Sequence, residues 1–116
     1  MIYNITPTPA PRMTRSDKWK KRPCVMRYFK FRDAVKAAGI KIPDSGSHII
    51  FIIPMPKSWG KKKKFAMNGK PHQVRPDKDN LEKALLDSIF KEDAHIWDSR
   101  VTKVWGYAGM IEINYN

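Results

Sequence analysis

The run Ile49-Ile50-Phe51-Ile52-Ile53, closed by Pro54 and Pro56, constrains the fold of this chain more than any other feature. Four isoleucines stiffened at χ1 around one phenylalanine favour an extended backbone. A continuous apolar run between breakers reads as a strand buried on both faces. It is far too short to cross a bilayer, which takes about 20 apolar residues. His48 to Ile53 is therefore expected to be the strand around which the other elements are arranged.

Those elements can be read outward from it. Ile2 to Thr6 reads as a short strand ending at a proline-rich edge, because Pro7, Pro9 and Pro11 cannot donate to a ladder. Arg12 to Arg22 reads as a basic loop. Cys24 to Ala38 reads as a helix, with Val25, Tyr28, Phe29, Phe31, Val35 and Ala38 near helical spacing and Gly39 as its stop. Pro43 to Ser47 is a turn cluster. Lys57 to Pro76 reads as a long polar loop or ragged hairpin with a turn at Asn68-Gly69. Asp79 to about Phe90 reads as a second helix, and Arg100–Tyr107 with Met110–Tyr115 as a terminal hairpin joined at Ala108-Gly109. The order β-α-β-α-β-β over 116 residues predicts one domain of α/β class, α+β type: two main helices on a small mixed sheet.

Charge is distributed unevenly. Residues 1–76 carry 18 Lys and Arg against three Asp, whereas residues 77–116 carry five against eight Asp and Glu. The net +12 and a pI near 10.0 point to nucleic acid as partner, since clustered cations release condensed counterions when they meet phosphates. No basic amphipathic membrane helix and no export signal is evident, and the lone Cys24 has no internal partner. A cytoplasmic protein without membrane contact is the expectation. Carboxylates concentrated in one segment of such a chain would repel DNA unless a divalent cation reverses their sign.

The segment Arg75-Pro76-Asp77-Lys78-Asp79-Asn80-Leu81-Glu82-Lys83 places two carboxylates two residues apart at a helix start. Asp77 and Asp79 can converge on one cation; equally, Asp79 with Glu82 fits a capping box. Asp79, Lys83 and Asp87 follow one another at four-residue spacing on the polar side, and Lys83 can serve either the carboxylates or an ordinary ion-pair ladder. Leu81, Ala84, Leu85, Ser88 and Ile89 form the core-facing side. Leu86 and Phe90 lie off it and suggest burial against a partner or another layer. A further carboxylate, Asp98, precedes the next strand in Trp97-Asp98-Ser99-Arg100-Val101.

Asp-x-Asp-Asn-Leu-x-Lys, an Asp four residues on, and then Asp-Ser-x-Val resembles the RusA family of Holliday-junction resolvases. The resemblance implies a small homodimeric α/β endonuclease that cuts four-way DNA junctions with Mg²⁺ or Mn²⁺, of bacterial or bacterial-virus origin. Carried over, Asp77, Asp79 and Asp98 match the acidic metal ligands and Lys83 the catalytic lysine, while Asp87 matches an outer-shell or structural acid. Family members often carry two adjacent acids before Ser/Ala-x-Val; here the first is Trp97. Arg75, Lys78 and Lys61, Lys62, Lys63 and Lys64 are the expected phosphate contacts.

The competing reading is a non-enzymatic basic DNA- or RNA-binding module whose carboxylates are caps and ion pairs. His48, His72 and His95 lack zinc-site spacing and read as surface or hydrogen-bonded histidines. Trp19, Trp59 and Phe65 sit among lysines, where base stacking and loop anchoring are both open. Paired cuts need two sites, hence a twofold dimer, for which Leu86 and Phe90 offer apolar material and edge strands near either terminus offer more.

Overall fold

The computed structural model describes residues 1–12 and 22–115. The basic loop between Arg12 and Arg22, and Trp19 within it, fall almost wholly outside the described residues. The elements run β1 (Ile2–Tyr3), α1 (Pro23–Ala38), β2 (Ser47–Pro54), α2 (Lys61–Met67), α3 (Lys78–Ile89), β3 (Ser99–Gly106) and β4 (Met110–Tyr115). The four strands form one mixed sheet in the order β1-β4-β2-β3, an α+β fold.

The isoleucine-rich strand is central, as expected, but it is not buried on both faces. Ile49 and Phe51 are fully buried, whereas Ile50 and Ile52 between them are half-exposed. With Ile111, Ile113, Leu81, Leu85, Phe31 and Val35 the odd positions make the core under α1 and α3. Among the described residues no helix covers the opposite face, where the register aligns Ile50 with Thr102 and Glu112, and Ile52 with Val104 and Met110.

The expected terminal hairpin does not form. β3 pairs in parallel with one edge of β2, Ile49 opposite Val101, and β4 pairs antiparallel with the other, Ile49 opposite Ile113. A parallel pair needs a long crossover, which α2 and α3 supply. Separating β3 from β4 gives the most apolar strand a neighbour on each side. Tyr107, Ala108 and Gly109 then step across the end of β2, about 10 Å between strands once removed, within reach of four Cα steps of 3.8 Å.

α1 keeps its predicted extent within a residue and ends on Gly39 at φ 65°, whose N–H donates to the Lys36 carbonyl. Lys57 to Pro76, expected as loop, contains α2. Lys-Lys-Lys-Lys-Phe-Ala-Met are good helix formers, but no residue of α2 is buried, so no apolar periodicity announced it. Gly69 at φ 79° turns the chain after it, and residues 69–72 then cover the free edge of β3: Gly69 N–H donates to Trp105 O, Trp105 N–H to Lys70 O and His72 N–H to Lys103 O.

Candidate metal and DNA site

α3 begins one residue earlier than expected, with Asp77 in extended conformation as its N-cap residue. Neither carboxylate is spent on capping. Asp77 makes no side-chain cap bond, and the Asp79–Glu82 capping box is absent because Glu82 instead accepts a 2.6 Å hydrogen bond from the Ser99 hydroxyl. That bond ties the start of β3 to α3. Among the described residues, the side-chain carboxylates of Asp77 and Asp79 have no hydrogen-bond or ion-pair partner.

Both carboxylates line an open cleft of about 580 Å³, whose walls also include His72, Arg75, Lys78 and Lys103. Asp77 and Arg75 border a second groove too, with Pro9, Ala10 and Asn80. The Lys103 ammonium donates to the carbonyls of Val74 at 2.8 Å and Pro76 at 2.7 Å, so a cation on β3 fixes the segment that delivers Asp77. The exposed N–H groups of the first turn of α3 add positive potential at Asp79. The cleft is thus two acids inside a positive frame.

Asp98 does not line this cleft. It stands before β3, where its Oδ2 accepts the Gly46 N–H at 3.1 Å. Trp97 N–H donates to Asp44 O, and the His95 ring bonds Asp44 Oδ1 at 2.7 Å, so three contacts clamp residues 95–98 to the 44–46 turn. Trp97 itself is 76% exposed. Among the described residues no cluster of three His, Cys, Asp or Glu is arranged to hold a metal ion. Asp77 and Asp79 border one cleft, and Asp98 is not among its lining residues.

Lys83 points along the helix away from Asp79. Its ammonium bonds Asp87 at 3.0 Å and lies 3.6 Å from Asp93. The Asp87 hydrogen bond, followed by the charges of Asp87 and Asp93, raises the Lys83 pKa above its ordinary 10.5. Leu86 and Phe90 are buried against another layer of the same chain: Leu86 lies in the core, and Phe90 packs against it with its ring edge on His95.

His72, expected on the surface or hydrogen-bonded, is 4% exposed, and its Nδ1 has no partner. Its ring meets Trp105 at 4.3 Å, and Trp105 meets Trp59 at 4.9 Å, with the Lys63 ammonium 4.2 Å above Trp59. His48 and His95 are hydrogen-bonded as expected, to Thr102 and Asp44. The sequence signal for Lys103 was a lone cation inside Val101–Trp105; for His72 there was none, because a chain edge folded onto β3 buries it.

Burial, followed by the positive charge of Lys103, holds the His72 pKa below its ordinary 6.5. The folded protein therefore keeps this ring neutral, while the unfolded chain takes up a proton as pH falls through 6.5. Stability should drop as pH falls from 7.5 to below 6, and His72→Gln should flatten that part of the profile. Urea melts across the range measure it; an unchanged slope in the variant assigns the acid sensitivity elsewhere.

No helix in the described residues is long and apolar enough to span a membrane. The chain matches no curated protein and no solved structure. A family model described as endodeoxyribonuclease RusA matches residues 3–115, nearly its whole length.

Proposed function

The chain belongs to the RusA endodeoxyribonuclease family, and from that premise we propose that it resolves four-way DNA junctions by paired, symmetric, divalent-metal-dependent phosphodiester hydrolysis in recombination and repair. Residues 1–116 act as one nuclease domain in this reading. The observation that carries it is the pair Asp77 and Asp79, exposed and unpartnered among the described residues in an otherwise cationic cleft. A binding module has no use for such a pair facing phosphates.

The donor set suits Mg²⁺ or Mn²⁺: hard oxygen ligands on an open ledge, where an ion keeps several waters and takes one or two carboxylates. Asp77 and Asp79 hold the ion, and Asp98 is the proposed third ligand. When bound, it supplies Lewis-acid polarisation of the phosphate and an activated water. Arg75 and Lys78 hold the flanking phosphates, and Lys103 keeps Asp77 in place through the Val74 and Pro76 carbonyls. Lys83 is the proposed catalytic cation, with Asp87 as its outer ion-pair partner. Lys61, Lys62, Lys63 and Lys64 extend the phosphate track.

A synthetic four-way junction incubated with and without Mg²⁺ tests the reading. Paired nicks that require the metal support it; tight binding with no cutting under any divalent cation returns the chain to the class of basic DNA-binding modules.

Two symmetric nicks call for two copies, so the active species is proposed to be a homodimer. Support comes from the sheet face opposite the helices, where Ile2, Ile50, Ile52, Val104 and Met110 leave apolar surface uncovered among the described residues. This face replaces Leu86 and Phe90 as the source of apolar contact. Light scattering at moderate salt should give twice the 13.5 kDa chain mass, and Ile50→Lys with Ile52→Lys should return it to the monomer value. A wild-type monomer that still makes paired cuts rules the dimer out.

A further inference from the structure

Phe65 is 81% exposed, on a helix that buries none of its residues. Single exposed apolar side chains are common on proteins; the mounting of this one is unusual. α2 is anchored at both ends to Trp105. Before the helix, the Trp59 ring meets the Trp105 ring at 4.9 Å; after it, the Gly69 N–H donates to the Trp105 carbonyl at 2.9 Å. Trp105 is 8% exposed and contacts His72, which lies in the wall of the Asp77–Asp79 cleft. The outward ring is thus carried on a strut rooted beside the carboxylates.

Its surroundings specify what it meets. Lys61, Lys62 and Lys64 belong to the same short helix, while Lys63 lies over Trp59. Cations alone suit the phosphate backbone, which is the same in every DNA. A flat apolar ring among them suits the π-face of a nucleobase, and that face is available only where stacking is interrupted. In continuous duplex each base is covered on both sides. At a branch point, stacks end.

Resting on the reading of the chain as a junction nuclease, we propose that Phe65 stacks on a base exposed at the branch point and so sets the preference for branched over linear DNA. The lysines around it supply affinity common to all DNA; the ring supplies the part that depends on shape. Trp59, which sequence alone left open between stacking and anchoring, is the anchor.

The test uses a four-way junction carrying 2-aminopurine at the branch and a linear duplex of the same sequence, both without divalent metal so that nothing is cut. Wild-type protein should change the 2-aminopurine fluorescence at the branch. Phe65→Ala should abolish that change and lower junction affinity roughly 10- to 100-fold with little effect on duplex affinity. Phe65→Trp should restore both and Phe65→Leu neither, while neutralising Lys61, Lys62 and Lys64 together should weaken junction and duplex alike. Equal losses for both DNAs in Phe65→Ala, an unaltered fluorescence change, or a shift of Phe65→Ala from dimer to monomer mass overturns the proposal. Failure of the nuclease reading would look different: wild-type protein would bind but leave every DNA intact when Mg²⁺ is added.

Discussion

Asp77→Asn and Asp79→Asn should each reduce junction cleavage by about three orders of magnitude while leaving junction binding equal or tighter. The size follows from the several kcal/mol that a bound cation contributes to a phosphoryl transition state. The direction of the binding change follows from charge, because each substitution removes one negative group from a cleft whose other charged walls are Arg75, Lys78 and Lys103. Neither carboxylate makes a side-chain cap bond to α3, so the isosteric amides should leave the melting temperature within a few degrees of wild type. Cleavage of a labelled junction and a binding titration on the same preparations give the two readings. Parallel loss of binding and cutting would mean that the acids organise the DNA-binding surface and hold no metal.

Asp98→Asn separates two roles in the same assay. The amide retains an oxygen that can accept the Gly46 N–H, so the clamp between residues 95–98 and the 44–46 turn survives while the charge is lost. Loss of cutting at unchanged stability assigns Asp98 to the metal. Full activity leaves it as a turn residue.

What the sequence made legible follows the reach of each signal. Local patterns were sound: the helix from Pro23 ended at Gly39, and the α3 face of Leu81, Ala84, Leu85 and Ser88 was buried as its period demanded. Asp77 and Asp79 shared one cleft because spacing of two residues at a helix start is local geometry. Signals that depend on partners distant in the chain failed. Glu82 had the spacing of a capping box, yet Ser99, 17 residues on, bonds it instead. Leu86 lay off the apolar side on a helical wheel, yet α1 and the sheet enclose a wider arc than one stripe. α2 had propensity without periodicity, and its four like charges masked it. His72 became part of the cleft only because residues 69–72 run along β3.

The same distinction governs the last expected result. In a β3–β4 hairpin, Gly109 would be a turn residue that accepts alanine freely. In the observed topology the chain crosses the end of β2, and Gly109 passes so close to the N-terminal segment that a Cβ would lie 2.6 Å from the Thr6 Cα. Its φ is not in the left-handed region, so space alone decides, and the obstructing atom is backbone that cannot rotate away. Gly106, the last residue of β3, is equally constrained, because a Cβ there would run into the Cγ2 methyl of Ile52, a β-branched side chain with little freedom at χ1. Gly109→Ala and Gly106→Ala should therefore each cost about 1–3 kcal/mol, as overpacking does. For a chain of this length the loss is a fall of several degrees in melting temperature. Because Thr6 leads into Pro9 and Ala10, which border the groove beside Asp77, the displaced segment should also weaken cutting more than binding. Thermal melts of both glycine variants beside wild type decide it: a neutral Gly109→Ala would restore the hairpin and remove β4 from the edge of β2.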